Sequence, residues 1–562
     1  MVQQSTSDDT AENGDLIQQP TQDVERAITN EKAGQVPLSA AAEDDEGKLY
    51  PPARKVIVVM VALYLSLFLV SLDRTIIATA VPQITNVFHS IDDIGWYASA
   101  YMITGCAFQL LYGRIYTFYS PKWVFLTSVS IFELGSLICG ISKNSLTFIV
   151  GRAIAGLSSA GIFSGSIVLT VHIIPLRKRP VYQSLMGVVF LASSIVGPVI
   201  GGAFTTHLSW RWCFYINLPI GGVILLLSFW LLPSDNNRTK EEIEAAKLSM
   251  RKKLERLDPI GTLFFLPGIV CLLLALQLGG STYAWNDVPI IVLWVVFGLL
   301  MIAFAGVQAR GGPFYNLPLP PRILRYRSVT ASTWFAFCIS GSMTVIIYFL
   351  PVWFQAIERV SAIESGIRIL PLIIALLVAS IIAGGTVSAL GYYTPMLIGC
   401  SIIISAGAGM MTTFKVDTGK AIWIGYQVIF GFGIGLGQQQ AGLAAQTVLP
   451  TVDVPVGVSL KFFGQSLGGG ISVSVAQNVL STKLVSGLAG LPNLDPRVIV
   501  NLGATELRDY VGLEHLGEVL RVYNHALDEV FMVAAIVAAM SILGAVLTEW
   551  KSVKGKNLKG VL

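Results

Sequence analysis

Among the ionisable residues inside apolar stretches of this chain, Asp73, Glu133 and Arg152 stand out. A charge within a run long enough to cross a bilayer is costly, so such residues are functional candidates by default. A carboxylate there must be neutral or paired, and an arginine there needs an acidic or carbonyl partner. The chemistry open to them is reversible proton binding. At 1.5 Å per residue, Asp73 lies about 28 Å along its helix from Arg54, and Arg152 about 9 Å in from Leu146. Both depths fall in the outer half of a membrane, so a pair between them is feasible. Two readings stay open for Asp73: a proton carrier, or a cap formed with Arg74 at the outer interface. Arg152 pairs with Asp73 or snorkels outward along its aliphatic stem. Glu133, near the middle of its run, fits structural pairing and proton coupling equally.

A second kind of site is built from the absence of side chains. Gly187–Phe204 reads GVVFLASSIVGPVIGGAF, apolar and uncharged. Ser193, Gly197 and Gly201 recur every fourth residue, which puts them on one helix face. Small residues so spaced let a neighbouring membrane helix come close. Pro198 in the same run is expected to kink or loosen the helix. A tightly packed helix pair and nothing more would also produce this pattern.

These residues need helices to position them, and the composition supplies them. Apolar types make up 53% of the chain and charged types 13%, about half the usual charged share of soluble domains, which selects a polytopic membrane protein. The net charge of +4 is too small to suggest nucleic acid. Apolar runs of about 20 residues, each long enough to span a bilayer, follow one another. They lie near Arg54–Thr79, Asp92–Gly113, Lys122–Ile141, Leu146–Ile174, Val181–Ala203, Trp212–Leu232, Asp258–Gly279, Val288–Val307, Ser328–Leu350, Gly366–Leu390, Thr394–Phe414, Ala421–Ala441, Gly457–Leu480 and Ala526–Leu547. The even count, fourteen spans, puts both termini on one side. Lys and Arg gather in alternate loops (Arg114 and Lys122; Arg177–Arg179; Arg238–Arg256; Arg310–Arg327) and in the C-terminal tail. By the positive-inside asymmetry that side is cytoplasmic. The loops near Tyr392 and Asp453 lack Lys and Arg and do not contribute to this pattern.

Residues 1–50 are polar and acidic, which reads as a disordered tail without a secretory signal. The connection Pro233–Leu257 is charged and helical in pattern. Ser481–His525 forms an expected outer loop, with a surface helix over Thr505–Arg521. The sequon at Asn237 falls in an inner loop and is expected to be unused. The six cysteines are scattered through apolar runs, with no spacing for a metal or a disulfide framework, and no cofactor is expected. No phosphate-binding GxxxxGK[ST], HExxH or GxSxG occurs. In the second half, Trp334, Phe337 and Tyr348, with Tyr426 and Gln427, could line an amphipathic cavity or simply pack and face lipid.

Several segments resemble one family. The pattern G-(x)8-x-G-P-x-x-G-G, on Gly187, Gly197, Pro198, Gly201 and Gly202, is similar to the antiporter signature of the major facilitator superfamily. LDRTIIATAVP, Leu72–Pro82, resembles the LDxTIVxxALP motif of its fourteen-span drug:proton antiporters. Val150–Gly165 resembles that superfamily's RxxxG motif through Arg152 and Gly156, and LSWRWCFYINLPIG, Leu208–Gly221, its WRWxFxINxPIG segment. Gly113–Leu126 occupies the place of its inner-loop GxLaDrxGrr motif; Gly113 and Lys122 match, but Thr117 stands where the Asp would be. Gly437–Gln446, GQQQAGLAAQ, looks like its twelfth span.

The resemblance implies an all-α major facilitator fold, with fourteen transmembrane helices in two six-helix bundles plus two inserted central helices. Expected boundaries are 51–232 and 310–547 for the bundles, 233–309 for the inserted part, and a basic tail at 548–562. It implies proton coupling through Asp73, Arg152 and Glu133, gating at Gly113 and Lys122, and close packing at the span-five glycines. The implied function is proton-driven export of a hydrophobic small molecule, such as a toxin, by a monomer in the plasma membrane, or in a vacuolar or vesicle membrane. Proton-coupled uptake, for instance of a ferric siderophore, is the runner-up, and a polytopic sensor or enzyme a third class.

Overall fold

The computed structural model of the chain describes residues 51–90, 93–232, 257–280, 283–310, 321–488 and 513–554, with a few isolated positions between. The expected N-terminal tail, the sequon at Asn237 and most of the connection 233–257 lie outside the described residues.

Twelve of the helices are long and apolar enough to cross a membrane. Two more, Ile94–Phe118 and Val454–Leu488, are long enough but richer in Tyr, Gly and Ser, because they pack against other helices rather than lipid. Together these helices overlap the apolar runs expected from the sequence. In order the spans are Ala53–Phe88, Ile94–Phe118, Pro121–Ile141, Ser145–Ile173, Arg179–His207, Trp212–Leu231, Pro259–Leu278, Val288–Arg310, Arg327–Ala356, Leu370–Leu390, Thr394–Met411, Lys420–Val448, Val454–Leu488 and Leu513–Leu547. Local chemistry sets their ends. Asn144 caps span four by accepting the Thr147 amide at 2.8 Å. Prolines open spans three, five, seven, ten and eleven, where a missing N–H costs nothing. Gly391, at φ +95°, ends span ten in the left-handed region.

Spans one to six pack among themselves, as do nine to fourteen. Spans two and thirteen, and spans five and ten, pack across the two groups. Span seven lies against spans two and thirteen, and span eight packs chiefly on span seven, with only 6% of its apolar window buried. The described contacts across the groups gather toward the Lys/Arg-rich end of the spans. Ser164 and Ser459 meet at 3.1 Å, and the rings of Phe163 and Phe462 at 5.7 Å. Gly113 leaves room for Ser459 and the Pro455 carbonyl, and Gly384 for Ser184 and the Pro180 carbonyl. At the other end of span five, Pro198, Val199, Ala203 and Thr206 are exposed.

Span five is one continuous helix through Pro198, which is exposed. Three details differ from the sequence reading. Span twelve is broken at Gln438–Gln439. Span one runs on past Thr79 to Phe88. The loop expected over 481–525 is shorter at both ends: span thirteen continues to Leu488, and the last helix begins at Leu513. Val519, Leu520 and Tyr523 are buried on the second group's core, so packing extends that helix beyond its apolar run. Residues 505–510 of the expected surface helix lie outside the described residues.

Candidate functional site

Span one presents two working faces. One is zipped to span five by side chains that donate to backbone carbonyls: Tyr64 to Tyr182 (3.0 Å), Ser71 to Phe190 (3.0 Å), Thr75 to Ser193 (3.3 Å) and Gln83 to Thr205 (2.5 Å). Such bonds require close backbones, and the glycines provide them. A Cβ on Gly197 would overlap Thr75, and one on Gly201 would meet Thr79 and come within 2.9 Å of the Ile76 carbonyl. Position 73 is turned about 200° from 71 and 75, so Asp73 points away from span five.

On that opposite face Asp73 meets span four. Its Oδ2 accepts from Arg152 Nη1 at 2.6 Å, with side-chain exposures of 0% and 1%. Arg152 Nε donates to the Tyr97 carbonyl at 3.0 Å, and its guanidinium lies over the Tyr101 ring at 4.6 Å. The Tyr101 hydroxyl donates to the Val70 carbonyl at 3.4 Å, closing the group back onto span one. Gly156, one turn from Arg152, lets the Tyr101 backbone approach: a Cβ there would overlap the Tyr101 carbonyl. The interface caps and outward snorkelling allowed by the sequence are therefore not what forms.

Asn217, on span six, completes the site and was not singled out from the sequence. Its Nδ2 donates to Asp73 Oδ1 at 3.1 Å and to Ser136 Oγ at 3.1 Å. In the sequence it is one uncharged amide inside the INLPIG run, and its full burial appears only in the structure. The carboxylate thus accepts from one cation and one amide, drawn from spans four and six. A buried pair contributes little net stability, because desolvation offsets the Coulomb gain, yet breaking it leaves an uncompensated charge.

The remaining expected residues fall into separate places. Glu133 lies within electrostatic reach of Asp73 but outside the pair. Among the described residues its carboxylate oxygens have no hydrogen-bond partner, and a Cβ on Gly221 of span six would overlap them. Gly187 packs on Gln439 at the break in span twelve; Gly202 has nothing within 4 Å of an added Cβ. Gly113 does sit where the two groups meet. Lys122 does not: its Nζ donates to the Phe229 and Leu232 carbonyls at 2.6 and 3.1 Å, tying off the end of span six. A lysine three donors wide is drawn to the orphan carbonyls of a helix terminus.

The five aromatic and amide residues of the second half do not converge. Trp334 stacks on Phe337 and donates to the Met540 carbonyl at 3.0 Å. Tyr348 is 58% exposed, Tyr426 stacks on Phe414, and Gln427 is fully buried with an unpartnered amide. What converges instead is Lys461 with Gln465, Gln438 and Ser340 around a small cavity between spans nine, twelve and thirteen.

The chain matches a family model described as Major Facilitator Superfamily over residues 63–473. It is 48% identical over 527 residues to the MFS-type efflux pump MFS1 of Trichophyton rubrum, covering 93% of this chain and 96% of that one. It is 47% identical to the efflux pump aflT of Aspergillus parasiticus, covering 91% and 99%. Among solved structures, the proton:xylose symporter XylE superposes with a TM-score of 0.56 at 12% identity, covering 86% of this chain and 95% of that one, which speaks to the fold alone. With its helical pairs arranged as described and a family model matched over most of its length, this chain belongs to the Major Facilitator Superfamily and is a membrane transporter.

Proposed function

We propose that the protein exports a hydrophobic small molecule in exchange for protons, with Asp73 as the proton carrier. The observation that carries this reading is the fully buried pair of Asp73 and Arg152 at 2.6 Å, in the half of the first bundle away from the Lys/Arg-rich end. Its relatives named efflux pumps in Trichophyton rubrum and Aspergillus parasiticus support export as the direction. A single chain supplies both bundles, which supports a monomeric unit, and export from the cell favours the plasma membrane over a vacuolar or vesicle membrane.

The Lys/Arg-rich end is taken as cytoplasmic. The bundles are then closed on the inside, and the pair is intact, as it would be before a proton arrives from outside. Protonation neutralises Asp73 and leaves Arg152 to the Tyr97 carbonyl and the Tyr101 ring, which loosens the tie between spans one and four. Closure outside and opening inside let the proton leave and the pair re-form. Alternation of this kind needs two packings of the bundles and one group that favours each.

The test is efflux driven by an imposed pH gradient in reconstituted vesicles, with protein level as control. Asp73→Asn should abolish gradient-driven efflux while preserving the fold. Undiminished coupled efflux by that variant would rule Asp73 out. Accumulation in the opposite direction would favour uptake.

A further inference from the structure

Lys461 is a buried cation that the proton pathway leaves unused. It lies on span thirteen, seven residues in from Val454, and is 3% exposed. Among the described residues its Nζ meets no carboxylate within ion-pair distance. Its polar partner is Gln465 Oε1 on the same helix, at 2.7 Å, and its ammonium sits 4.4 Å from the Phe462 ring centre. A buried lysine with one neutral acceptor has two of its three donors unspent and no counter-charge.

The surroundings are shaped to take a group that would supply both. Lys461, Gln465, Gln438 and Ser340 border one cavity of about 10 Å³, room for a single oxygen-sized group, with Phe335 and Ile339 beside it. Gln438 stands at the break in span twelve, and its amide is turned to the sulfur of Met343 at 3.5 Å, a weak acceptor that a stronger one would displace. Lys461 is close in sequence to the closed junction. Ser459 and Phe462, two residues before Lys461 and one after it, touch Ser164 and Phe163 of the first bundle. Parting those contacts opens a path from the Lys/Arg-rich side to the ammonium.

We infer that Lys461, with Gln438, Gln465 and Ser340, is the recognition site for an anionic oxygen on the transported molecule, a carboxylate, enolate or phenolate carried on an apolar body. The inference rests on the export reading only for the word transported; the anion site itself is a property of the resting protein. The ammonium supplies charge and the two amides and the hydroxyl supply donors for the oxygen, while the apolar part needs the room that parting the bundles would open. This is a different task from that of Asp73, which lies in the other bundle and is already paired.

Equilibrium binding to purified protein in nanodiscs, without any pH gradient, tests it. Matched probes share a ring and differ in charge: 2-naphthoate against 2-naphthamide, and 2-naphthyloxyacetate against its amide. The wild-type protein should bind each acid about tenfold or more tightly than its amide, the worth of a charge-assisted bond. Lys461→Met should erase that preference and leave amide binding in place, which also reports an intact fold. Lys461→Arg should keep it, and Gln438→Leu should weaken acid binding alone. A wild-type protein that binds the acids no better than the amides, or a Lys461→Met protein that keeps the preference, overturns the proposal. Loss of gradient-driven efflux with the acid preference intact would sink the export reading and spare this site.

Discussion

At the scale of single residues, the first bundle turns on what Asp73 can touch. Its two oxygens are served from two different spans, Oδ2 by Arg152 and Oδ1 by Asn217. The amide is therefore a positioning residue for the proton carrier. Asn217→Leu leaves one carboxylate oxygen buried without a donor, a loss of about 1.5–3 kcal/mol for a bond to a charged group. Gradient-driven efflux should fall about tenfold or more while the protein level holds, and Asn217→Gln should recover part of it; equal efflux in the Leu variant would remove the amide from the mechanism. Asp73 and Arg152 could be picked out in the sequence because a charge in an apolar run stands out. Asn217 could not, since an uncharged amide near a span's end has the same look whether it faces water or a carboxylate. Lys461 was missed for a similar reason. Four residues from the expected span start at Gly457, it reads as a flanking lysine; the helix actually begins at Val454, which carries it deeper.

At the scale of helices, span five holds span one in place, and span one holds Asp73. The glycine face and the hydroxyl zipper act together: the backbones approach because Gly197 and Gly201 have no Cβ, and approach brings Ser71 and Thr75 within reach of span-five carbonyls. Gly201→Leu forces the Ile76 carbonyl away, an overpacking cost of about 1–3 kcal/mol. Efflux should drop well below what any loss of surface protein explains, and Gly202→Leu, with open space around it, should behave as wild type. Normal transport by Gly201→Leu at normal level would refute the packing role. The four-residue spacing made this face readable from sequence. The break at Gln438–Gln439 was not readable, because a run of glutamines after glycine carries no breaker as strong as proline, and tertiary contacts with Gly187 decide its shape.

At the scale of the whole molecule, the two bundles touch where lysines and arginines gather and part at the other end. Ser164 and Ser459 stand across that junction with hydroxyls 3.1 Å apart. Cysteines at both positions fall within disulfide reach. Oxidising a Ser164→Cys, Ser459→Cys protein should stop efflux, and reduction should restore it; a crosslinked protein that still transports would show that this junction need not open. The hydropathy pattern displayed the apolar runs but not which of them meet, since pairing depends on which face of each helix is small or polar. Span eight bears a different consequence. Protein covers only its face toward span seven, so the hydrocarbon is the packing partner of the rest. Its amides are held by lipid thickness rather than by the bundles, and in a detergent shell they are the first to open to hydrogen exchange, while the paired core around Asp73 exchanges only when the whole bundle comes apart.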